Sequence, residues 1–216
     1  MKTIAIFCAI LLCTSTEVFS QKIIDEKIEV NNRETTMNFK FADDIVLEAW
    51  DKNYIELHVE VNIDDNKYNE YYALEIDKNG NDITLEEEID FEKIKELKGS
   101  RNNCSFNTDL HYTLKIPKNL KVDLETISGE IELIGCEGQM SIHSISGFID
   151  YSIPENHKAN IDLSTITGDV YSNVKFDNKT KENISWVGTK QELSLNGGST
   201  EVDLKTVSGD IYLRKY

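Results

Sequence analysis

A phrase of twelve residues occurs four times in the second half of this chain. The copies begin at Val122, Met140, Ile161 and Val202. Each copy alternates apolar and polar residues, and each has Ser or Thr followed by Gly at its seventh and eighth positions. A strand-like pattern repeated with a fixed turn residue is typical of a β-solenoid, in which each copy forms one rung that stacks on the next. The sequence therefore predicts four equivalent rungs of one all-β solenoid, with the Ser/Thr-Gly pair at a common corner.

The sixth position of the phrase decides how each rung is expected to bend. The first, third, sixth and tenth positions are apolar in all four copies. Strict alternation from the third position would leave the sixth exposed to water, which is unfavourable for a whole row of β-branched residues. We therefore expect the alternation to slip at the fifth position, so that the sixth is buried and the second and eleventh are exposed. The sixth-position residues are Ile127, Ile145, Ile166 and Val207.

The copies are unevenly spaced. The step from Ile161 to Val202 is about as long as the two earlier steps together. A degenerate rung is therefore expected between them, around residues 184–195, where Leu193-Ser194-Leu195 keeps the alternation but the Ser-Gly pair is missing.

Residues 21–100 are predicted to form a strand-rich N-terminal part of the same domain. Apolar and polar residues alternate strictly from Ile55 to Ile63, which is typical of a half-buried strand. The segment Phe91–Leu97 has the spacing of one short helix, and Gly99 is placed to end it. The expected organisation is a single β-solenoid domain over residues 21–216, with the rungs in residues 101–216.

The first twenty residues have the pattern of a signal peptide. Lys2 gives a short positive region, Ile4–Leu12 is a compact apolar run, and Val18–Ser20 resembles a cleavage site. The apolar run is too short to cross a bilayer, so no transmembrane segment is predicted. We expect an exported protein of the periplasm, the cell surface or the extracellular space.

The net charge of −16 limits the choice of partners. An acidic surface repels phosphate backbones and anionic lipids, so nucleic acid is excluded as an expected partner. Acidic polysaccharides are disfavoured for the same reason.

Two cysteines lie outside the predicted leader. Cys104 and Cys136 are candidates for a disulfide, because exported proteins often bridge their cysteines. The alternative is two buried thiols that act as small apolar residues.

The repeated phrase is accompanied by further motifs that carry a family resemblance. They are Asn196–Ser199 ahead of the last copy, Phe39–Asp43, and Trp50–Lys52. With these motifs the chain resembles the bacterial putative-adhesin family of unknown function, exported β-solenoid proteins common in Bacteroidetes. The resemblance implies a right-handed, parallel β-helix-like solenoid with a strand-rich N-terminal part, and it supplies no catalytic residues. The chain departs from its own repeat at Phe148, where the other copies have Glu or Asp.

The outward positions of the phrase carry two columns of acidic residues. Carboxylates stacked along a solenoid repel one another unless a cation or a backbone donor relieves them, and calcium is one such cation. Turn capping is the alternative, and Ser141 and Phe148 interrupt both columns. The first column contains Asp123, Asp162 and Asp203, and the second contains Glu130, Asp169 and Asp210. We predict no metal ion and no cofactor.

Neither catalytic spacing nor a phosphate-binding loop is visible, and the chain is predicted not to be an enzyme. Tyr171 and Tyr212 share the eleventh position and Trp186 follows nearby, so these aromatic residues are candidates for a ligand face, although cross-strand packing is the more usual role. The favoured hypothesis is a non-enzymatic, adhesin-like envelope or cell-surface protein whose rigid β face binds an envelope protein or a matrix glycan. The alternatives are a structural or assembly factor without a ligand and a glycan-active β-helix enzyme. The oligomeric state stays open.

Overall fold

The computed structural model describes residues 20–31, 34–80, 82–99, 107–179, 183–184 and 188–216. The first half of the chain contains strands β1 (Lys22–Glu29), β2 (Glu34–Asn38), β3 (Asp44–Trp50), β4 (Tyr54–Ile63), β5 (Tyr72–Asp77), β6 (Asp82–Ile89) and β7 (Thr108–Pro117), a 3-10 turn (Asn69–Tyr71) and helix α1 (Phe91–Lys98). The second half contains β8 (Val122–Ser128), β9 (Glu130–Ile134), β10 (Met140–Ser146), β11 (Ile149–Ile153), β12 (Ala159–Thr167), β13 (Val170–Ser172), β14 (Asn178–Lys179), β15 (Asn183–Ile184), β16 (Thr189–Leu195), β17 (Thr200–Ser208) and β18 (Ile211–Lys215).

The strands form two sheets, which within the described residues have eight and ten strands. The eight-stranded sheet has the order β1-β4-β7-β3-β9-β11-β18-β13. The ten-stranded sheet has the order β14-β16-β12-β17-β10-β8-β2-β6-β5, and β15 also pairs with β16. An all-β fold with one short helix among the described residues is therefore confirmed.

Each copy of the phrase crosses from one sheet to the other and forms one layer of a stack. In the described part of the chain, six layers follow one another through parallel pairing: β6/β7, β2/β3, β8/β9, β10/β11, β17/β18 and β12/β13. The four copies lie in equivalent registers, with Met140 opposite both Val122 and Val202, and Val202 opposite Ile161. Two layers, β2/β3 and β6/β7, come from the N-terminal half, where the sequence shows no copy of the phrase.

The expectation of a continuous parallel solenoid needs correction. The sheets are mixed, because β1, β4, β5 and β16 pair antiparallel with their neighbours, and neither sheet closes on itself. The last copy of the phrase also lies between the second and third copies, so the chain order and the spatial order differ. A right-handed path of the chain between layers stays a prediction.

The expected degenerate rung around residues 184–195 was also wrong. In the ten-stranded sheet, β16 runs antiparallel to β12, with Leu193 opposite Ile161. The alternation of Leu193 and Leu195 is therefore that of an edge hairpin strand beyond the third copy. The periodicity cannot distinguish the two cases, because parallel and antiparallel strands have the same two-residue repeat.

The space between the sheets holds one apolar core that runs through the N-terminal layers and the repeat. The first and third positions of all four copies are buried there, as predicted. The tenth position is buried in Ile131, Ile149 and Ile211, and Val170 on the edge strand β13 is half-buried. Helix α1 begins at the predicted residue: the Asp90 carboxylate accepts a hydrogen bond from Lys93 N–H, and Gly99 ends the helix with a positive φ of 72°.

The corner of each copy is built on glycine because the layers approach too closely for a side chain. A Cβ atom at Gly147 would stand 2.1 Å from the carbonyl oxygen of Gly129, and one at Gly209 would stand 2.0 Å from that of Gly147. The eighth-position glycines therefore contact one another's backbones along the stack, and any larger residue would force the layers apart.

Candidate functional site

Four aliphatic side chains lie exposed in a row across the outer surface of the ten-stranded sheet. They belong to four neighbouring parallel strands, β8, β10, β17 and β12. Their exposed fractions lie between 43% and 52%. Strands are spaced about 4.8 Å apart, so the row extends for about 14 Å. We call this row the aliphatic stripe, and its members in spatial order are Ile127, Ile145, Val207 and Ile166.

The stripe contradicts the prediction that the sixth position is buried. The fifth position is buried instead, with exposures of 1% to 5%, and alternation is unbroken from the first position to the sixth. The parity changes one residue later than expected, where the sixth and seventh positions both face solvent. The fifth-position residues are Thr126, Ser144, Thr165 and Thr206.

The buried hydroxyl at the fifth position explains this arrangement. Thr126 Oγ1 donates to the carbonyl oxygen of Ser128 at 2.6 Å, and Ser144 Oγ donates to that of Ser146 at 2.8 Å. Thr165 Oγ1 donates in the same way to the Gly209 carbonyl of the adjacent layer at 2.9 Å. A carbonyl group at the corner that does not pair with a neighbouring strand needs another hydrogen-bond donor. The fifth-position hydroxyl can reach this carbonyl only when its side chain points into the space between the two sheets. The sixth side chain is therefore outside because the fifth must be inside.

The stripe forms one wall of a shallow groove of about 470 Å³. The fourth position of each copy forms the other wall, and these residues are Glu125, His143, Lys205 and Ser164. Lys40 closes one end of the groove, since its carbonyl accepts a hydrogen bond from Ile127 N–H and it therefore occupies the same row on the neighbouring N-terminal layer.

The charges beside the stripe are unevenly balanced. The cations already have intramolecular partners, because Lys205 pairs with Asp203, and Lys190 lies 3.7 Å from Glu192. Lys40 likewise lies 3.4 Å from Glu86. The described residues, by contrast, provide no ion pair for three carboxylates on this face, which are Asp123, Glu125 and Asp162. That side of the stripe therefore carries a net negative charge, and Lys190 offsets the charge of Asp162 only in part.

Asp162 shows the effect of this crowding. Partial burial raises the pKa of its carboxyl, and the nearby carboxylates of Glu192 and Asp203 raise it further. A cation placed beside Asp162 would relieve both the desolvation and the repulsion.

The acidic columns named from the sequence are interrupted in space as well as in sequence. The first column runs Asp123, Ser141, Asp203, Asp162 across the ten-stranded sheet. In the second column Phe148 separates Glu130 from Asp210, whose carboxylate accepts the Asp169 N–H at 2.8 Å. Among the described residues, no group of three His, Cys, Asp or Glu side chains is placed to hold a metal ion.

The predicted aromatic residues lie on the other sheet. Tyr171 and Tyr212 are neighbours on β13 and β18 and their rings stack, with centroids 5.3 Å apart and an interplanar angle of 14°. Phe148 meets Tyr212 edge-on at 6.0 Å. Tyr171 is 49% exposed at the edge of the sheet. Trp186 lies outside the described residues.

The predicted disulfide partner Cys104 also lies outside the described residues, so the bridge stays a prediction. Cys136 is buried, and its Sγ lies 3.6 Å from the carbonyl oxygen of Leu47. Burial raises the pKa of the Cys136 thiol to about 12.

Two histidines on the outer surface of the eight-stranded sheet are held between carboxylates. His58 contacts Asp25 at 2.7 Å and Glu60 at 3.4 Å. His111 contacts Asp44 at 2.7 Å and Asp109 at 2.9 Å. The charges of these two histidines are therefore balanced locally by neighbouring carboxylates.

Sequence reasoning recognised the stripe residues but placed them inside. The available signal was the invariant Thr or Ser at the fifth position, which is a poor core residue unless it bonds to the backbone.

The described residues contain no helix with the length and hydropathy of a membrane-spanning segment.

A comparison with known protein families finds a match over the region that contains the four copies of the phrase. Residues 118–214 match the model of the Toastrack family, DUF4097. No curated protein matches the chain in sequence. The fold is similar to the crystal structure of a putative cell adhesion protein from Clostridium sporogenes ATCC 15579, with a TM-score of 0.50 and 10% identity over 91% of this chain and 100% of that one.

Two further solved structures align over most of the chain at low scores. They are a putative adhesin from Bacteroides fragilis NCTC 9343, with a TM-score of 0.27, 10% identity, and coverage of 92% of this chain and 99% of that one, and a putative adhesin from Parabacteroides merdae ATCC 43184, with a TM-score of 0.26, 9% identity, and coverage of 90% and 96%. The resemblance to the putative-adhesin family is confirmed, and the match to the Toastrack family model covers residues 118–214.

Proposed function

We propose that this chain is an exported, non-enzymatic, adhesin-like protein that holds a protein partner on the aliphatic stripe. The observation that carries the proposal is the exposure of four β-branched aliphatic residues at one position of four stacked copies. Single exposed aliphatic residues are normal on a protein surface, but a contiguous exposed row marks an interaction surface.

The stripe is held rigidly, as a docking surface requires. Each of its residues follows a buried hydroxyl that is bonded to the backbone and precedes a corner glycine packed against the next layer. A partner therefore meets an ordered row of side chains, and little conformational entropy is lost on binding.

Export and an adhesin-like role are supported by the sequence pattern of the first twenty residues and by a similarity of fold. The signal peptide predicted for residues 1–20 lies almost wholly outside the described residues, and its support is the sequence pattern. The solved structure with a similar fold is named a putative cell adhesion protein, and that name supports the same role here only by analogy. The proposed location is the periplasm or the cell surface.

A second candidate function is glycan binding at the exposed end of the tyrosine stack. Tyr171 lies at the edge of the eight-stranded sheet, and its ring continues the stack begun by Tyr212. One face of a sugar ring is apolar and stacks on such rings. Asp169, 3.4 Å from the Tyr171 hydroxyl, would supply an acceptor for sugar hydroxyl groups.

A retention experiment tests the proposal and separates the two candidates. The purified protein would be passed over immobilised matrix proteins and a glycan array, beside a stripe variant, Ile127→Ser with Ile145→Ser, and an aromatic variant, Tyr171→Ser. The control is Ile23→Ser, an aliphatic residue 53% exposed on the eight-stranded sheet.

Retention on a protein surface that is lost only in the stripe variant supports the proposal. Retention on a glycan that is lost only in Tyr171→Ser supports the second candidate instead. Equal retention of the wild-type protein and the stripe variant on every surface would contradict a docking role for the stripe.

A further inference from the structure

We infer that the stripe binds a cationic amphipathic helix of a partner protein, with Lys or Arg side chains along one flank of the helix. The inference rests on the proposed function and specifies the partner by its shape and its charge.

The spacing of the stripe matches a helix better than a strand. Its side chains recur at the strand spacing of about 4.8 Å, while the turns of an α-helix recur every 5.4 Å or so. A helix laid along the groove therefore presents an apolar residue at every third or fourth position to successive stripe residues. An extended segment repeats its side chains on one face about every 6.6 Å and loses register after one or two contacts.

The charges beside the stripe determine the sign of the charge that a partner should carry. The fourth and second positions lie about 7 Å and 13 Å from the stripe along each strand. Those positions hold Glu125, Asp123 and Asp162, the carboxylates without an ion pair among the described residues. The opposite side of the stripe is the corner, whose seventh positions are the uncharged residues Ser128, Ser146, Ser208 and Thr167. One flank of a helix in the groove therefore faces these carboxylates together with Lys205, whose charge is already paired with Asp203, and the other flank faces uncharged residues.

The same charges argue against other occupants. A second copy of this chain would bring two faces with unpaired carboxylates together, at a net charge of −16 on each molecule. An anionic lipid surface is repelled for the same reason. A helix with basic residues beside its apolar ones relieves the crowding around Asp162 and covers the aliphatic side chains in one step.

Three synthetic peptides of about eighteen residues would test the inference by fluorescence anisotropy with the full chain. The first has Leu at helical spacing with Lys on the remaining face, the second has Glu in place of Lys, and the third has the composition of the first without helical periodicity. Only the first peptide is expected to bind with measurable affinity at low salt.

Matched variants locate the binding. Ile127→Ser with Ile166→Ser is expected to weaken binding at least about tenfold, because two apolar contacts are lost. Asp123→Asn with Asp162→Asn is expected to weaken binding about threefold to tenfold and to reduce its dependence on salt. The control, Ile23→Ser with Glu132→Gln, removes one aliphatic residue and one charge from the other sheet and should leave binding unchanged.

The possible failures are distinguishable. Equal binding of the Lys and Glu peptides, or of the periodic and scrambled peptides, overturns the inferred partner but leaves the retention result as the test of docking. Stripe-dependent binding to phosphatidylcholine vesicles with no binding of the Lys peptide would replace the helix by a lipid surface. Equal binding by the stripe variant and the control would count against both the inference and the proposed function.

Discussion

The N-terminal layers and the repeat layers bury their polar groups in different ways. Beneath β6 and β7 the Glu87 carboxylate accepts hydrogen bonds from Phe41 N–H and from the Tyr112 hydroxyl, which lies 2.8 Å from the Tyr72 hydroxyl. This network joins one side chain from each of β5, β6 and β7, and it is not repeated among the described residues. In the repeat, a small hydroxyl at the fifth position bonds to a corner carbonyl, and the arrangement recurs in each copy.

The outer row of the ten-stranded sheet differs accordingly. In the N-terminal layer β2/β3 it is occupied by Lys40, which pairs with Glu86. In the repeat layers the same row is the aliphatic stripe. In the N-terminal layer this row holds a charged side chain that is paired with a neighbouring strand. In the repeat the same row holds apolar side chains that are exposed to solvent. A stable stack does not require such a row, because the layer with Lys40 stacks in the same register.

The largest effect is expected at the corner that only the repeat has. Gly147→Val should destabilise the protein by more than about 3 kcal/mol or prevent folding, because its side chain would collide with the Gly129 carbonyl. Urea unfolding followed by circular dichroism measures the loss. Gly197→Ala is the control, since Gly197 also has a positive φ, of 86°, but no atom within 4 Å of the added Cβ; its cost should be about 1 kcal/mol. Equal costs would show that the close approach of the layers is unimportant.

The next largest loss of stability is expected in the N-terminal hydrogen-bond network around Glu87. Glu87→Ala should cost about 2–4 kcal/mol, because Phe41 N–H and the Tyr112 hydroxyl lose their acceptor in the core. Glu87→Gln keeps an oxygen for Phe41 N–H and should cost much less. A loss below about 0.5 kcal/mol in Glu87→Ala would mean that water replaces the carboxylate.

The same network makes a prediction about pH. Burial raises the pKa of the Glu87 carboxyl, although its hydrogen bonds from Tyr112 and Phe41 oppose the shift. The folded state therefore binds this proton more tightly than the unfolded state, so the contribution to stability is complete below the unfolded pKa and is lost as pH rises through the folded pKa. Urea unfolding of the wild-type protein and Glu87→Gln between about pH 4 and pH 8 should show a decline in stability that the variant lacks.

A smaller effect compares two adjacent positions of one copy. Thr126→Val keeps the shape of the side chain but removes the donor to the Ser128 carbonyl, and it should cost about 1–2 kcal/mol. Ile127→Ser, one residue later, should change the free energy of unfolding by less than about 0.5 kcal/mol, because that side chain is 43% exposed. The reverse ranking in thermal melts would mean that the Thr126 hydrogen bond contributes less to stability than the contacts of the Ile127 side chain.

The smallest effect concerns the histidines of the N-terminal half. The hydrogen bond between His58 and Asp25 raises the pKa of His58, while burial opposes the shift. Burial also opposes the charge of His111, but Asp44 and Asp109 hold its pKa above the ordinary value. The stability that these pairs contribute is present below the unfolded histidine pKa and is lost as pH rises through the raised values. Solvent screens both sites, so the change should stay well under 1 kcal/mol and shrink in salt. The double variant His58→Gln with His111→Gln should flatten this part of the pH profile, and an unchanged profile would assign the slope to other groups.

The sequence was sufficient for the class of fold and for most of the interior, since local alternation determines which side chains share a face of a strand. The first and third positions followed from that rule, the tenth position from its apolar residue in every copy, and helix α1 from its helical spacing. The sixth position did not, because its placement depends on where the Thr126 hydroxyl finds an acceptor, which is a property of the folded corner. The layers β2/β3 and β6/β7 were missed because they share the register of the repeat without its glycine.

The order of the layers determines when the stack can be completed during synthesis. The third copy of the phrase, β12/β13, joins the parallel stack only through β17/β18, the last strands of the chain. A ribosome delivers the chain from its N-terminus, so the third copy leaves it well before the layer that supports it. Until Thr200–Lys215 follow, β12 has only the edge strand β16 as a partner. Removing Thr200–Lys215 would therefore take away one layer and also leave the third copy without its parallel neighbour.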